Sequence, residues 1–161
     1  MIQTSIDSGA FDKFILADGM YGESLLKNVD GDLTGTFGTV PGTDSKGAER
    51  FKGMAKSAGI KTGGPYTGES YDAGALLVLA MQSGGSTDRA ALASNVFAVA
   101  NAPGEKIMPG ELGKALRILA SGGAVDYVGA TNVELIGGGE ASGSYQEFEV
   151  SGKSYSTVRY R

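Results

Sequence analysis

Asp18 is the side chain whose position best suits binding of a small polar molecule, because it follows the apolar run FILA and precedes Gly19. The apolar run predicts a strand covered on both faces in a parallel sheet. Ligands of open α/β sheets bind beyond the carboxyl ends of the strands, where a carboxylate suits an ammonium or hydroxyl group. The alternative is that Asp18 caps the next helix or forms an Asp-Gly turn, and the pattern alone favours this alternative.

Tyr66, in the segment GGPYTGESYDAG, is the second candidate binding residue. It stands in a Gly/Pro-rich stretch before a helix, where an aromatic ring could form one wall of a cleft. An ordinary packed tyrosine explains the pattern equally well. Tyr71 and Asp72 begin the helix itself and are expected to be structural. Tyr21 flanks the Asp18 position, and the sequence leaves open whether it joins that site or faces solvent.

Several classes of site are excluded by composition or spacing. The chain contains no histidine and no cysteine, which excludes imidazole or thiolate metal sites, cysteine nucleophiles and Ser-His-Asp triads. The segment DGDLTG begins like a calcium loop, but its twelfth position is Pro41 instead of glutamate, so an EF-hand is rejected. The glycine-rich segments match neither the dinucleotide fingerprint nor the P-loop.

Composition is that of a globular protein. Of the 161 residues 41% are hydrophobic, enough for a packed core, and the 27 glycines have no collagen-like period. The net charge is −4 and the basic residues are scattered, so nucleic acid is not an expected partner. The first residues have neither a basic n-region nor an apolar h-region, and no secretory signal is expected there. The longest apolar run, AGALLVLAM, is too short to cross a bilayer.

Periodicity and capping residues predict an α/β chain that ends in an antiparallel hairpin. Strands are predicted at KFILA and at residues 34–40, and the hairpin at YQEFEV and SYSTVRYR around SGK. Helices are predicted at residues 2–8, closed by Gly9, and at YGESLLKN, DSKGAERFKGMAKSAG, SYDAGALLVLAMQSGG, TDRAALASNVFAVAN and GELGKALRILASGG. Asp44 or Ser45 is the predicted N-cap of the third helix, and Thr87 or Asp88 that of the fifth. The predicted buried face of the third helix consists of Phe51, Met54, Ala55 and Ala58, and the apolar stripe of the last helix of Leu112, Ala115, Leu116 and Leu119.

The helices outnumber the predicted strands. The helix at residues 71–82 is apolar on nearly every side and is expected to be enclosed by other elements. Only two parallel strands are evident, so the sheet that should receive these helices is expected to lie partly outside this sequence. The first helix begins almost at Met1, which suggests that its upstream part is missing.

The order of these segments resembles the C-terminal half of type I periplasmic solute-binding proteins, most nearly the branched-chain amino-acid-binding group of ABC transporter receptors. The resemblance rests on SGAF, FILADG, GTFGTVPGTDS, PYTGESYDAGALLVLAMQ and GELGKALRILASGGAVDYVGATNVEL, and it extends into the closing hairpin. It implies an incomplete type I fold with three-layer αβα lobes. Residues 1–41 would belong to the C-terminal lobe, residues 42–129 to the N-terminal lobe, and residues 130–161 to the C-terminal lobe again.

The resemblance implies capture of a ligand, not catalysis. In the amino-acid-binding members the acid at the ADG position pairs with the ligand ammonium, which maps onto Asp18 with Gly19 and Tyr21 beside it. An aromatic before the buried helix lines the side-chain pocket, which maps onto Tyr66. The serine and threonine groups that hold the ligand carboxylate come from the N-terminal half and have no counterpart here.

The implied partners are a small amino acid or related ligand and the membrane permease of an ABC transporter, with the full-length receptor in the periplasm. The chain alone is expected to bind weakly or not at all, and to associate with its missing N-terminal half or with itself. No cofactor is expected. Two alternatives remain, a ligand-sensing or interaction module that reuses the fold, and a flavodoxin-like α/β enzyme.

Overall fold

The computed structural model describes residues 1–161 as two compact units. Unit 1 comprises residues 1–43, 63–65 and 144–161, and unit 2 comprises residues 44–62 and 66–143. The helices are α1 Ile2–Asp7, α2 Glu23–Asn28, α3 Lys46–Ser57, α4 Thr67–Gly84, α5 Arg89–Ala100 and α6 Leu112–Ala120. The strands are β1 Ile15–Leu16, β2 Phe37–Pro41, β3 Glu105–Ile107, β4 Val125–Tyr127, β5 Leu135–Gly137, β6 Glu140–Ala141, β7 Tyr145–Ser151 and β8 Ser154–Tyr160.

Unit 1 is built on a four-stranded sheet in the order β1-β2-β7-β8. β1 and β2 are parallel, as predicted, and β7 and β8 form the predicted antiparallel hairpin. Alternation along the strands turns Leu16, Val40 and Phe148 toward one face, where they form a buried cluster. Gly38 of β2 lies against this cluster. Only glycine fits at this position, since a Cβ there would meet the Leu16 carbonyl and the Phe148 ring.

The prediction that the FILA strand is covered on both faces is wrong within unit 1. Leu16 is 2% exposed, but its neighbour Ile15 is 77% exposed. Ile15 pairs in register with Phe37, which is itself 46% exposed, so the two side chains share an uncovered face of the sheet. An apolar run does not reveal whether the second face of a strand has a partner, because side chains alternate between faces regardless of polarity.

Unit 2 contains a parallel pair of strands, β3 and β4, which the sequence analysis did not predict. Residues of α4, α5, α6, β3 and β4 enclose its core: Ala75, Leu79, Ala80, Val99, Ile107, Ala115, Val125 and Tyr127. The predicted stripe of α6 is confirmed, since Ala115 is buried and Leu112, Leu116 and Leu119 pack against the core. The two strands are only three residues long and were therefore too short to show a period.

Helices α3 and α5 begin where their capping residues predict. The Ser45 side chain accepts a hydrogen bond from the backbone N–H of Ala48 at the start of α3, and Asp88 does the same for Ala90 at the start of α5. The predicted buried face of α3 is only partly correct. Ala55 is buried, whereas Met54 is 36% exposed.

Within unit 2 the apolar helix is only partly enclosed, which agrees with the expectation that the elements that should receive it lie partly outside this sequence. In α4, Ala75, Leu79 and Ala80 are buried, but Leu77 and Val78 are 47% and 45% exposed. Helices α5 and α6 contact α4. The first turns of α4 also contact α3, through Tyr71 and Phe51, and the loop after β4, through Asp72. An apolar sequence therefore specified the helix but not how many of its sides are covered.

The mixed α/β fold is as predicted. None of the helices is both long and apolar enough to span a bilayer. The chain returns from unit 2 to unit 1 for the last time after Gly143. The return to the C-terminal lobe was predicted after Gly129. The intervening residues contain β5 and β6, a short antiparallel pair in unit 2. Assignment of the units to receptor lobes stays a prediction.

Candidate functional site

Asp18 lies at the carboxyl end of β1, in a single 3-10 turn formed by Asp18–Met20. The turn is closed by backbone hydrogen bonds from Met20 N to Ala17 O and from Tyr21 N to Asp18 O, each 3.0 Å. The Asp18 carboxylate is half-buried, and its Oδ1 accepts a hydrogen bond from the N–H of Gly19 at 2.7 Å. The carboxylate is therefore placed beyond a strand end, by backbone contacts that depend little on its own charge.

The two structural alternatives for Asp18 are not equally supported. Helix α2 begins at Glu23 with Gly22 as its N-cap, and no side chain makes a capping hydrogen bond there. Asp18 is therefore not the cap of the following helix. Its bond to Gly19 is instead the local contact of an Asp-Gly turn. A Cβ added at Gly19 would meet no atom within 4 Å, so the space beside this glycine is open.

Tyr21 belongs to an aromatic cluster that connects the Asp18 turn to the hairpin. Its ring centroid lies 4.8 Å from that of Phe148 and 4.6 Å from that of Tyr155. Phe148 and Tyr155 meet edge to face at 5.2 Å. Aromatic pairs with centroids at these separations are stabilising beyond the area they bury. Tyr21 is thus a packed residue of unit 1 as well as a neighbour of the candidate acid.

The Tyr155 hydroxyl fixes the start of α2. It donates to the carbonyl of Gly22 at 3.0 Å and accepts from the N–H of the same residue at 3.3 Å. Burial raises the pKa of Tyr155 above its ordinary value, so the phenol is neutral at physiological pH. A neutral hydroxyl can both donate and accept, which the double contact with Gly22 requires.

An open cavity of about 720 Å³ lies in unit 1 between α2 and the turn of the β7–β8 hairpin. Its lining residues are Tyr21, Glu23, Leu26, Lys27, Gly63, Lys153, Ser154 and Tyr155. The volume falls in the range of small-molecule sites. Of the predicted site residues only Tyr21 lines this cavity, and Asp18 and Gly19 do not.

Tyr66 lies in unit 2, at the N-cap of α4, in a left-handed backbone conformation with φ 64° and ψ 12°. Its carbonyl accepts the first helical hydrogen bond, from Ser70 N at 2.9 Å. Its side chain is 39% exposed. A bulky residue with positive φ is an uncommon, strained choice where glycine would fit without cost. The position is a candidate for a side chain kept for reasons other than stability.

Asp72 is the buried carboxylate of unit 2, only 2% exposed. Its Oδ1 accepts from the Tyr127 hydroxyl and from Ala130 N, both at 2.8 Å. Its Oδ2 accepts from Thr131 N at 2.8 Å and from the Thr131 hydroxyl at 2.7 Å. Burial and this carboxylate raise the pKa of Tyr127 far above its ordinary value. Asp72 joins α4 to the loop after β4, so its predicted structural role agrees with the geometry.

The sequence-predicted residues therefore fall into two groups. Asp18, Gly19 and Tyr21 are neighbours in one turn of unit 1, and Tyr66 stands in unit 2. Lys153, Ser154 and Tyr155, which line the cavity, were missed by the sequence analysis. They belong to the β7–β8 hairpin, more than a hundred positions from Tyr21, and the only available signal was an aromatic residue at the second position after the polar turn SGK.

No protein-family model matches the chain. A stretch of 72 residues, 44% of the chain, is 38% identical to part of the chemotactic signal transduction system substrate-binding protein BasB of Halobacterium salinarum, and it covers 17% of that protein. The structure is similar to that of a leucine binding protein, LivK, from Thermotoga maritima. The TM-score is 0.69 at 17% sequence identity, over 98% of this chain.

The likeness to LivK shows the fold, which is periplasmic-binding-protein-like. This chain spans 39% of the LivK chain and a smaller share of BasB. Both similar proteins are described as binding proteins, and neither description names an enzyme.

Proposed function

We propose that this chain is part of a solute-binding receptor that captures an amino acid or a related small molecule. The observation that carries the proposal is the position of Asp18, half-buried beyond the carboxyl end of a parallel strand in a fold like that of a leucine binding protein. Ligands of open α/β sheets bind at this end of the strands. The chain corresponds in this proposal to the C-terminal half of the receptor.

Asp18 pairs with the ligand ammonium in this proposal. Its Oδ1 is already aimed by the Gly19 N–H, which orients the carboxylate without neutralising it. The open space beside Gly19 lets the ligand backbone approach closely. Tyr21 closes one side of the turn through its packing on Phe148. Tyr66 is assigned to the side-chain pocket by the resemblance, and its strained backbone is consistent with a residue retained for binding.

Delivery of the ligand to the permease of an ABC transporter, from a receptor in the periplasm, is the transport form of this proposal. The description of BasB as part of a chemotactic signal transduction system supports a second form, in which the receptor reports the ligand to a sensor. Adjacency of the gene to permease genes would favour transport, and adjacency to a signalling gene would favour sensing. The flavodoxin-like enzyme remains the third possibility, and the absorbance spectrum of the purified protein tests it through bound flavin or nucleotide.

The test is an Asp18→Asn substitution in a receptor that carries this chain together with the N-terminal half expected from the resemblance. Calorimetry with leucine and a panel of related amino acids is expected to show binding before the change and none after it. An amide cannot replace the charge that pairs with an ammonium. The matched control is Asp12→Asn, an exposed acid of the same unit, which should bind as the unchanged receptor does.

Two outcomes would contradict the proposal. Unchanged affinity in the Asp18→Asn receptor would return Asp18 to the role of a turn residue. Micromolar leucine binding by the 161-residue chain alone would show that no second half is needed to hold the ligand. The proposal requires contacts from both lobes, because a ligand that touches one lobe only cannot favour a closed receptor. Circular dichroism of each variant separates loss of binding from loss of folding.

A further inference from the structure

We propose that the open cavity of unit 1 is a second ligand site, which binds a small organic acid through its carboxylate and an apolar or aromatic body. The cavity has a volume of about 720 Å³ and lies between α2 and the hairpin turn. Its lining shares Tyr21 with the amino-acid site proposed above but does not include Asp18 or Gly19, so the charged group that holds the ligand is a different one.

The apolar wall of the cavity is rigid. Tyr21 and Tyr155 lie against each other at 4.6 Å with their planes 36° apart, and both pack on Phe148. The Tyr155 hydroxyl is held by both polar groups of the Gly22 backbone. Leu26 of α2, which is 5% exposed, continues the same wall. A preformed surface of two rings and a leucine suits a flat or aliphatic group, because little ordering is required when it binds.

Lys153 supplies the charge that an acid needs. Its ammonium donates one hydrogen bond to the Val29 carbonyl at 2.9 Å. A lysine ammonium has three donors, so two N–H groups of Lys153 remain for a ligand. The bond to Val29 also limits where the ammonium can move, which lowers the entropy lost when a carboxylate binds.

The other charges of the lining do not cancel Lys153. Lys27 is paired with Glu23 at 2.6 Å on successive turns of α2, so these two residues offset each other. Two lysines and one glutamate leave the lining with a net charge of +1. Asp32 lies outside the lining, and its pKa is lowered first by its hydrogen bonds to Thr34 and only in small part by Lys153. The balance favours a monoanion over a zwitterion or a cation.

The experiment titrates the full chain, labelled with ¹⁵N, with 3-phenylpropionate and separately with its neutral amide. The acid is expected to shift the backbone signals of Tyr21, Lys153, Ser154 and Tyr155, and the amide should bind several times more weakly. Raising the salt concentration should weaken the acid and leave the amide unchanged, because only the acid uses a charge pair.

Lys153→Gln is the decisive variant, since glutamine keeps an N–H donor on a side chain one bond shorter but carries no charge. Its affinity for the acid should fall about twofold to fivefold, the loss expected for one charge pair near the surface. Lys52→Gln, on the exposed side of α3 in unit 2, is the matched control and should bind normally. Tyr21→Leu should weaken both probes alike, since it removes a ring and no charge.

The proposal is overturned if 3-phenylpropionate causes no shifts at millimolar concentration, if the amide binds as well as the acid, or if Lys153→Gln leaves the affinity unchanged. Asp18→Asn should leave acid binding at the cavity intact. Loss of acid binding in that variant would mean that the two sites are one.

Discussion

Each unit contains a notable aspartate, and the two carboxylates differ in burial and in their hydrogen-bond partners. In unit 2 Asp72 is buried, and each of its carboxylate oxygens accepts two hydrogen bonds from Tyr127, Ala130 and Thr131. In unit 1 Asp18 is half-buried in a turn at the end of a strand, where its Oδ1 accepts from the next residue. Four donors on one buried carboxylate make a structural tie between elements, whereas the hydrogen bond of Asp18 to Gly19 stays within its own turn.

The surroundings of the two acids differ in the same sense. A Cβ added to Gly129, which has φ 63°, would overlap Asp72 Oδ1, so the backbone has been brought as close to that carboxylate as glycine allows. No atom lies within 4 Å of the corresponding position at Gly19. Close packing therefore accompanies the structural acid, and open space accompanies the candidate binding acid.

The same substitution in both units gives the largest expected contrast. Asp72→Asn should lower the free energy of unfolding by about 2–3 kcal/mol, because an amide NH₂ cannot accept and leaves one buried backbone N–H unpaired in either orientation. Asp18→Asn should change it by less than about 0.5 kcal/mol, because the amide oxygen can still accept the hydrogen bond from the Gly19 N–H. Urea unfolding followed by circular dichroism measures both.

Asp44→Asn is the control for the Asp72 measurement, because it makes the same chemical change at an exposed position of unit 2. It should unfold like the unchanged chain. If Asp72→Asn proved as stable as this control, Asp72 could not be the tie between α4 and the loop after β4. An equal loss in the Asp18 and Asp72 variants would remove the contrast between the two units.

Exposed apolar groups of unit 2 are expected to cause self-association of the 161-residue chain. Leu77 and Val78 are about half exposed on adjacent positions of α4. Light scattering at increasing concentration should show species larger than a monomer. Replacing both residues with glutamine should shift the chain toward monomer, because association then removes less apolar area from water. Replacing the exposed polar pair Gln82 and Ser83 of the same helix with alanine should change nothing.

A compact monomer of the unchanged chain at high concentration would contradict this expectation. It would mean that Leu77 and Val78 stay exposed to water without causing association. Neither the N-terminal half nor a second copy of the chain would then be needed to cover them.

The left-handed conformation of Tyr66 gives a smaller effect. Tyr66→Gly should be more stable than Tyr66→Ala by about 1 kcal/mol, because an L residue with a Cβ is strained at φ 64° and glycine is not. Thermal unfolding of the two variants isolates the backbone from the lost side chain, which both variants lack. If the alanine variant were at least as stable as the glycine variant, Tyr66 would carry no strain, and its backbone would no longer support a functional role.

The smallest expected effect concerns the hairpin of unit 1. Hydrogen bonds from Arg159 and then Arg161 hold the pKa of Glu147 below its ordinary value of 4.5. A carboxyl whose pKa is lower in the folded state stabilises the fold above its unfolded pKa, and this contribution is lost as the pH falls through the folded pKa. Glu147→Gln should therefore lower stability slightly at pH 7, and this loss should shrink as the pH falls below 4.5.

Glu149→Gln, on the same strand, is the control for the hairpin measurement and should show a smaller dependence on pH. A difference between Glu147→Gln and the unchanged chain that persisted undiminished at pH 3 would assign the effect of Glu147 to packing and not to its charge.

Local signals of the sequence predicted much of the fold. The caps at Ser45 and Asp88, the stripe of α6 and the alternating hairpin are confirmed, since each depends on residues a few positions apart. β3 and β4 were missed because three-residue strands carry no readable period. The cover of both faces of β1 was predicted wrongly, because cover depends on distant segments.

For the candidate site, the sequence by itself determined that an acid follows an apolar strand and that no histidine or cysteine chemistry is possible. Only the tertiary structure decided that Asp18 lies in a turn and does not cap α2, and that Asp72 is tied by four donors. Only the structure joined Tyr21 to Lys153 and Tyr155 in one cavity. The physical reason is that side-chain identity and short-range periodicity are local, whereas cavities and saturated carboxylates form between segments that the chain brings together only when it folds.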